Sequence, residues 1–329
     1  MASSPKNKIT FKALVEIVKQ TIQGVSDDNV TKLSASLAYA TLFSLIPFTT
    51  LIISIGAFFH QDIGSALYGQ LGSLMGRETV TELQNIITNA TKTNSSTFAS
   101  IISIGVMIFG ATAIFAEIQT SLNRIWGIKP KPKIGWLNYL RTRLLSFSMI
   151  LILGFLMLVS LTLTTFISSI NERLMIYFPD VTAILFQVFG WLMNFAVIAI
   201  LLILMFKMLP DAKIRFKDVM VGGIVTTALF LIGQFAISLY FRISNPTSVY
   251  GAAASVVLLL TWIYYSSIII YVGAEFTKAW ANMMGGKIYP DSYAVSTKTI
   301  EVLGDGPIET INKKKIDETA GEQLSDLQM

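Results

Sequence analysis

The sequence predicts an all-α polytopic membrane protein: six transmembrane helices with an extracytoplasmic helical hairpin between the first two. Three observations carry that prediction. Hydrophobic residues make up 53% of the 329 and charged ones only 14%, where soluble domains carry about 25% charged residues, so a water-facing surface cannot be assembled. Six stretches have the length a hydrocarbon core of about 30 Å demands, about 20 mostly apolar helical residues. The basic residues between those stretches alternate between rich and poor segments.

Residues 1–33 are polar and lysine-bearing, without a short apolar run ending in a small-residue cleavage site. They are read as a retained cytoplasmic N-terminus rather than a signal peptide. Within it, FKALVEIVKQTIQGV at 11–25 places Phe11, Leu14, Val15, Val18 and Ile22 on one helical face, with Lys12 and Lys19 elsewhere. That pattern suits a helix lying in the inner headgroup layer, or equally one packed against the cytoplasmic ends of the bundle.

The transmembrane domain is expected over 34–283, with spans near 36–59, 98–117, 144–168, 183–208, 219–240 and 252–273. Each is too long for a strand, and backbone groups in lipid must be satisfied within their own segment, which leaves helix. The first span has no charge between Lys32 and Asp62, and Pro47 lacks a donor and crowds the preceding turn, which predicts a kink. In loop 60–97, Ile63, Leu67, Leu71 and Leu74 recur at helical spacing, as do Val80, Leu83 and Ile87. This predicts the hairpin, turned near Gly76 and capping the outer end of the bundle. Gly105, Gly110 and Glu117 weaken the second span. The run RIWGIKPKPKIGW at 124–136 alternates Lys with Pro, which stops a helix, and its Trp126 and Trp136 indoles favour the interface. Its charges are read first as an orientation signal, second as a contact for anionic lipid. From 284 the chain turns polar and is expected to form a disordered cytoplasmic tail, 284–329.

Charge tests the span count independently. Five lysines precede the first span, and six, four and six basic residues fall in the second loop, the fourth loop and the tail. The first, third and fifth loops hold two, one and one, which accounts for all 25. The positive-inside rule then places both termini in the cytoplasm of a bacterial inner-membrane protein.

Little in the sequence supports chemistry. There are no cysteines, which removes thiolate sites and disulfides. The one histidine, His60, stands alone at the end of the first span and has no clustered partners. The spans hold almost no ionisable residues: Glu117 and Glu275 sit at inner ends and Lys207 at a boundary. No catalytic, cofactor-binding or metal-binding residue is assigned, no cofactor is expected, and the chain is not expected to be an enzyme.

The spans carry neutral polar groups instead. Ser44, Pro47 and Thr50 share a face of the first span, with Tyr39 a little more than a turn before them. Span four has Gln187 and Asn194, span five Thr227 and Gln234, span six Ser255, Trp262 and Ser266. In lipid, small residues and interhelical hydrogen bonds hold helices together, so such stripes mark helix contacts in a dry bundle or the lining of a cavity.

Four phrases, in this order, resemble the YihY/BrkB family of bacterial inner-membrane proteins. They are SASLAYATLFSLIP; SLNRIWGIKPKP, with Asn123 and Trp126; MLPDAKIRFKDVMVGG, with Pro210, Asp211 and Gly223; and SVYGAAASVVLLLTWIYYSSIIIYVGAEF, with Tyr250, Gly251, Gly273 and Glu275. The resemblance covers roughly 12–282. It implies a six-helix envelope protein linked to serum resistance and envelope integrity, in some members to movement of lipid or lipopolysaccharide precursors. The family's former label, ribonuclease BN, is regarded as mistaken, and the lack of a metal site or acid–base pair here agrees. The functional expectation is translocation or permeation of a lipid or other amphipathic envelope molecule. Its alternatives are a non-transporting integrity or assembly scaffold and a passive small-solute channel. Membrane lipids, anionic ones included, are the expected partners, and nucleic acid is not.

Overall fold

A computed structural model of the chain describes residues 10–58, 68–69, 80–81, 84, 97–131, 140, 144–145, 148–152, 155–156, 179–244, 254–284 and 286–297. Its helices are α1 (Phe11–Asp27), α2 (Val30–Phe58), α3 (Thr97–Ile125), α4 (Pro179–Met208), α5 (Phe216–Ser244) and α6 (Ala254–Met283). Four short strands join them: β1 (Ile128–Pro130), β2 (Ala212–Lys213), β3 (Tyr289–Pro290) and β4 (Ala294–Ser296).

Helices α1 and α2 are separated by two residues. The Asp28 N–H closes α1 on the Gly24 carbonyl at 2.9 Å. Asn29 then turns the chain with φ 54°, a left-handed conformation that asparagine tolerates better than most residues. Helix α2 runs on past Pro47 to Phe58. Among the described residues, three helical segments are long and apolar enough to cross a membrane: Val188–Met208, Phe216–Phe241 and Val256–Met283. They leave Trp191, Leu192, Ile232, Phe235 and Leu239 exposed, a surface that lipid tolerates and water does not.

Helix α2 packs on α3 and α6, α6 on α5, and α5 on α4, while α1 lies along α6. The starts of α2 and α5 and the ends of α3, α4 and α6 meet at one end of the bundle, called here the polar end. The main core lies toward that end and is built from Leu37, Ile118, Leu122, Trp126, Phe206 and Tyr271, joined by Met149 and Ile150 from the expected third span. A second cluster joins Ala38, Leu259 and Ile263 to Val80. The rest of the expected hairpin over 60–97 lies almost wholly outside the described residues, as do His60, Tyr250 and Gly251.

Two helices run well past the expected inner ends of their spans. Helix α3 continues from 117 to Ile125 and α6 from 273 to Met283, because polar residues there meet protein partners instead of ending the helix. The stretch after α6 corrects the tail expected from 284. Strand β3 pairs antiparallel with β2, Ala212 opposite Pro290 and Lys213 opposite Tyr289. Strand β4 pairs with β1, and the Lys131 N–H donates to the Tyr293 carbonyl at 2.9 Å. Ala294 enters the main core and Ile288 packs against it, so a few apolar side chains and paired backbone suffice to order this polar stretch. Residues 298–329 lie outside the described residues.

Candidate functional site

The polar end is organised around Asp211, which is only 1% exposed. Helix α4 stops at Met208 because Pro210 cannot continue it, and the chain delivers Asp211 to the end of α3. Gln119 and Asn123 are four residues apart on α3 and share a face. Gln119 Nε2 donates to Asp211 Oδ1 at 3.1 Å and Asn123 Nδ2 to Oδ2 at 2.9 Å. The Asp211 N–H returns a bond to Asn123 Oδ1 at 2.8 Å, and its carbonyl accepts the Asp291 N–H at 3.0 Å. A buried carboxylate is costly unless its oxygens are satisfied, and both are. Asp211 therefore ties three segments together.

Trp126 corrects an expectation. It is buried rather than interfacial: its indole Nε1 donates to the Ala274 carbonyl at 3.2 Å, and its ring meets Phe206 edge-on at 6.4 Å. A carbonyl of α6 supplies the partner the interface was expected to provide.

Around α6 the contacts are closer. Lys278 Nζ lies 3.3 Å from Glu275 Oε2 and 3.0 Å from Asp28 Oδ2. The Glu275 carboxylate fills the space a β-carbon on Gly24 would need. Gly222 of α5 receives Thr277 of α6, and Gly273 of α6 receives Thr226 of α5. Each threonine hydroxyl bonds back to its own helix, Thr226 to the Gly222 carbonyl at 2.6 Å and Thr277 to the Gly273 carbonyl at 2.7 Å. Gly223 meets Ile203 of α4. In the following loops, Arg215 donates to both Asp218 oxygens at 2.9 and 3.2 Å, which raises its guanidinium further above its ordinary range. The Ser292 N–H holds the Asp291 carboxyl below the usual carboxylate range.

Among the described residues, the expected polar stripes divide between buried and exposed positions. Ser44, Thr227 and Ser266 are buried, and Trp262 packs partly buried against Phe230, with ring centroids 6.3 Å apart. Thr227 spends its hydroxyl on the Gly223 carbonyl at 2.7 Å, and Gln234 is half-buried. Tyr39, in contrast, is 66% exposed and rests on Phe43. Asn194 is exposed and Trp191 is 71% exposed, so the α4 stripe faces outward. A uniformly apolar helix gives little rotational signal, and small residues fail to mark the contact side there. Of the remaining stripe residues, the side chains of Pro47, Thr50, Gln187 and Ser255 lie outside the described ones. An apolar groove of about 480 Å³ opens sideways between α4 and α5, lined by Val188, Trp191, Leu192, Phe195 and Leu231.

The family model of the virulence factor BrkB matches residues 21–294, nearly the whole described fold. The chain belongs to the BrkB family. It is similar to a UPF0761 membrane protein of Psychromonas ingrahamii, 28% identical over 83% of this chain and 88% of that relative. A UPF0761 membrane protein of Aliivibrio salmonicida is 28% identical over 78% and 80%, and one of Vibrio vulnificus is 25% identical over 82% and 83%. No solved structure matches the chain. With its apolar helices, this BrkB-family chain is an integral membrane protein.

Six of the residues that mark the BrkB resemblance have physical roles in the structure. Asn123 and Asp211 bond each other, Pro210 ends α4, Gly223 and Gly273 admit neighbouring side chains, and Glu275 keys α1. Sequence reasoning missed their partners Gln119, Thr226, Thr277, Lys278 and Asp28. Two carried a signal: Gly222 with Thr226, and Gly273 with Thr277, repeat the small-xxx-small spacing of close helix contacts.

Proposed function

We propose that this BrkB-family protein crosses the bacterial inner membrane six times with both termini in the cytoplasm. There it binds and moves an envelope lipid or another amphipathic molecule along its α4–α5 face, without altering it chemically. Alternating basic loops support the topology. So does the path of the chain: α3 and α4 both end at the polar end, so the segment between Lys131 and Pro179 has to return to the far end before α4 begins. Buried Met149 and Ile150 fit a third crossing packed in the bundle.

The sideways groove carries the lipid reading. Its lining is apolar, and the same exposed surface of α4 bears the Asn194 amide. A polar group on a lipid-facing helix is costly, and an amphipathic molecule with its chain in the groove would supply a partner. Purified protein in liposomes is expected to speed transbilayer movement of a fluorescent phospholipid or lipopolysaccharide precursor, and Leu231→Trp, which fills the groove, to slow it. No movement across a broad lipid panel, by protein that still complements an envelope defect in cells, would sink this reading.

The filled core favours a second reading. Leu122, Phe206 and Tyr271 are fully buried at the centre of the main cluster, as in an assembly scaffold that moves nothing. Deleting residues 64–90 separates the two, since a scaffold loses its phenotype while movement in liposomes persists.

A further inference from the structure

We infer that α1 is a two-faced arm, bonded to α6 by one face and laid on an anionic lipid surface by the other. The face toward the bundle is narrow: Ile17 and Thr21 are buried, with Ala13, Gln20 and Gly24 partly so. Three contacts fix how far the helix can turn about its own axis. Asp28 holds Lys278 at 3.0 Å, Gly24 lies against the Glu275 carboxylate, and Gln20 reaches the Met283 sulfur at 3.8 Å. Because the helix is keyed in this way, its remaining apolar stripe cannot rotate inward.

That stripe is open. Phe11 is 80% exposed and Ile22 66%, with Leu14, Val15 and Val18 exposed between them. Soluble monomers rarely leave a contiguous apolar patch beyond a few hundred Å² uncovered, and an amphipathic helix at a bilayer surface buries this kind of face. Charge selects the occupant. The arc next to the stripe carries Lys12, Lys19, Gln23 and Ser26, and the carboxylates of the helix, Glu16 and Asp27, lie beyond it on the side away from the stripe, so lysines flank the apolar face and each adds attraction at an anionic headgroup surface. The position agrees, because α1 lies against the end of α6, where that long apolar helix reaches the polar end. The inference rests on the chain being a membrane protein and is independent of whether it moves lipid.

The chain has no cysteine, so one nitroxide can be placed in the full-length protein by Val18→Cys, with Val15→Cys as a second position and Ser26→Cys as reference. In vesicles of phosphatidylethanolamine and phosphatidylglycerol, labels at 18 and 15 are expected to show an oxygen-to-nickel-chelate accessibility ratio several-fold above that at 26. The ratio is expected to fall in phosphatidylcholine vesicles and in the Lys12→Gln/Lys19→Gln variant. Nickel access at 18 and 15 equal to that at 26 would place the stripe in water. Protection from both reagents would place a second copy or another protein on it. A ratio indifferent to phosphatidylglycerol and to both lysines would remove the anionic surface. Any of these three results overturns the inference. Lipid movement in the same vesicles reports on the α4–α5 proposal separately.

Discussion

Gly273 of α6 lies so close to Thr226 of α5 that a β-carbon at position 273 would take the place of the threonine hydroxyl. The relationship is reciprocal, since Gly222 of α5 receives Thr277 of α6 in the same way. Two antiparallel helices thus offer each other one hole and one knob apiece, and they approach more closely than larger residues would allow.

Replacing Gly273 with Ala is expected to destabilise the protein. Overpacking costs about 1–3 kcal/mol, and the better helix propensity of Ala returns about 1 kcal/mol. Thermal unfolding in detergent micelles should show the loss. Combining Gly273→Ala with Thr226→Ala should recover most of it, whereas simple additivity of the two losses would contradict the direct contact.

The Asp211 contacts predict an order of effects. Asn123→Ala removes two hydrogen bonds to Asp211 and Gln119→Ala removes one. Each bond to the buried carboxylate is worth about 1.5–3 kcal/mol and the neutral bond from the Asp211 N–H about 0.5–1.5 kcal/mol, so Asn123→Ala, which loses one of each, is expected to lower the melting midpoint more. Equal midpoints for the two variants would show that the bond to the Asp211 N–H contributes nothing.

Lys278→Met leaves Asp28 and the buried Glu275 carboxylate without their shared cation. Breaking a fully buried pair costs about 3–5 kcal/mol, and Lys278 and Asp28 keep 31% and 21% of their side-chain surface exposed, so solvent screening lowers the expected loss to about 1–3 kcal/mol. Limited proteolysis should cut within α1 sooner in this variant. Adding Glu275→Gln should slow the cut again, and an unchanged rate in the double variant would count against Glu275 as the source of the loss.

The cysteine-free background also tests the topology. Cysteines introduced at Lys129 and Lys213 are expected to react with an impermeant maleimide only in inside-out vesicles, and one at Arg77 only in right-side-out cells. If positions 129 and 77 label from the same side, the alternation of basic and neutral loops has been misread.

Much of this fold is written in hydropathy. Length and apolar runs place α3, α4, α5 and α6 within four residues of their expected starts, because a bilayer-length helix needs no tertiary information to be recognised. Rotation about the helix axis is harder to read. Asn194 and Tyr39 look like inward residues and face outward, since α2 and α4 are apolar all round and nothing local distinguishes their sides. Pairings across long separations are equally hidden. Asn123 and Asp211 are flagged by their phrases, but a bond spanning 88 positions depends on where α3 and α4 end. Trp126 shows the same limit, because no local pattern reveals that the Ala274 carbonyl waits for its indole. The stretch 286–296 is polar enough to pass for a tail and becomes ordered only because the loops after α3 and α4 offer it open backbone edges.

That last stretch has a consequence for how the protein is made. Chains emerge N-terminus first, and their early parts begin to organise before the rest exists. Tyr289–Pro290 and Ala294 are among the final described residues to leave the ribosome, yet they close the loops at Lys131 and Ala212, synthesised long before. The bundle therefore stays unfastened until residues 286–296 have been made. A chain cut short after α6 would have every described helix in place and no clasp, so the loops at Lys131 and Ala212 would keep their backbone edges open.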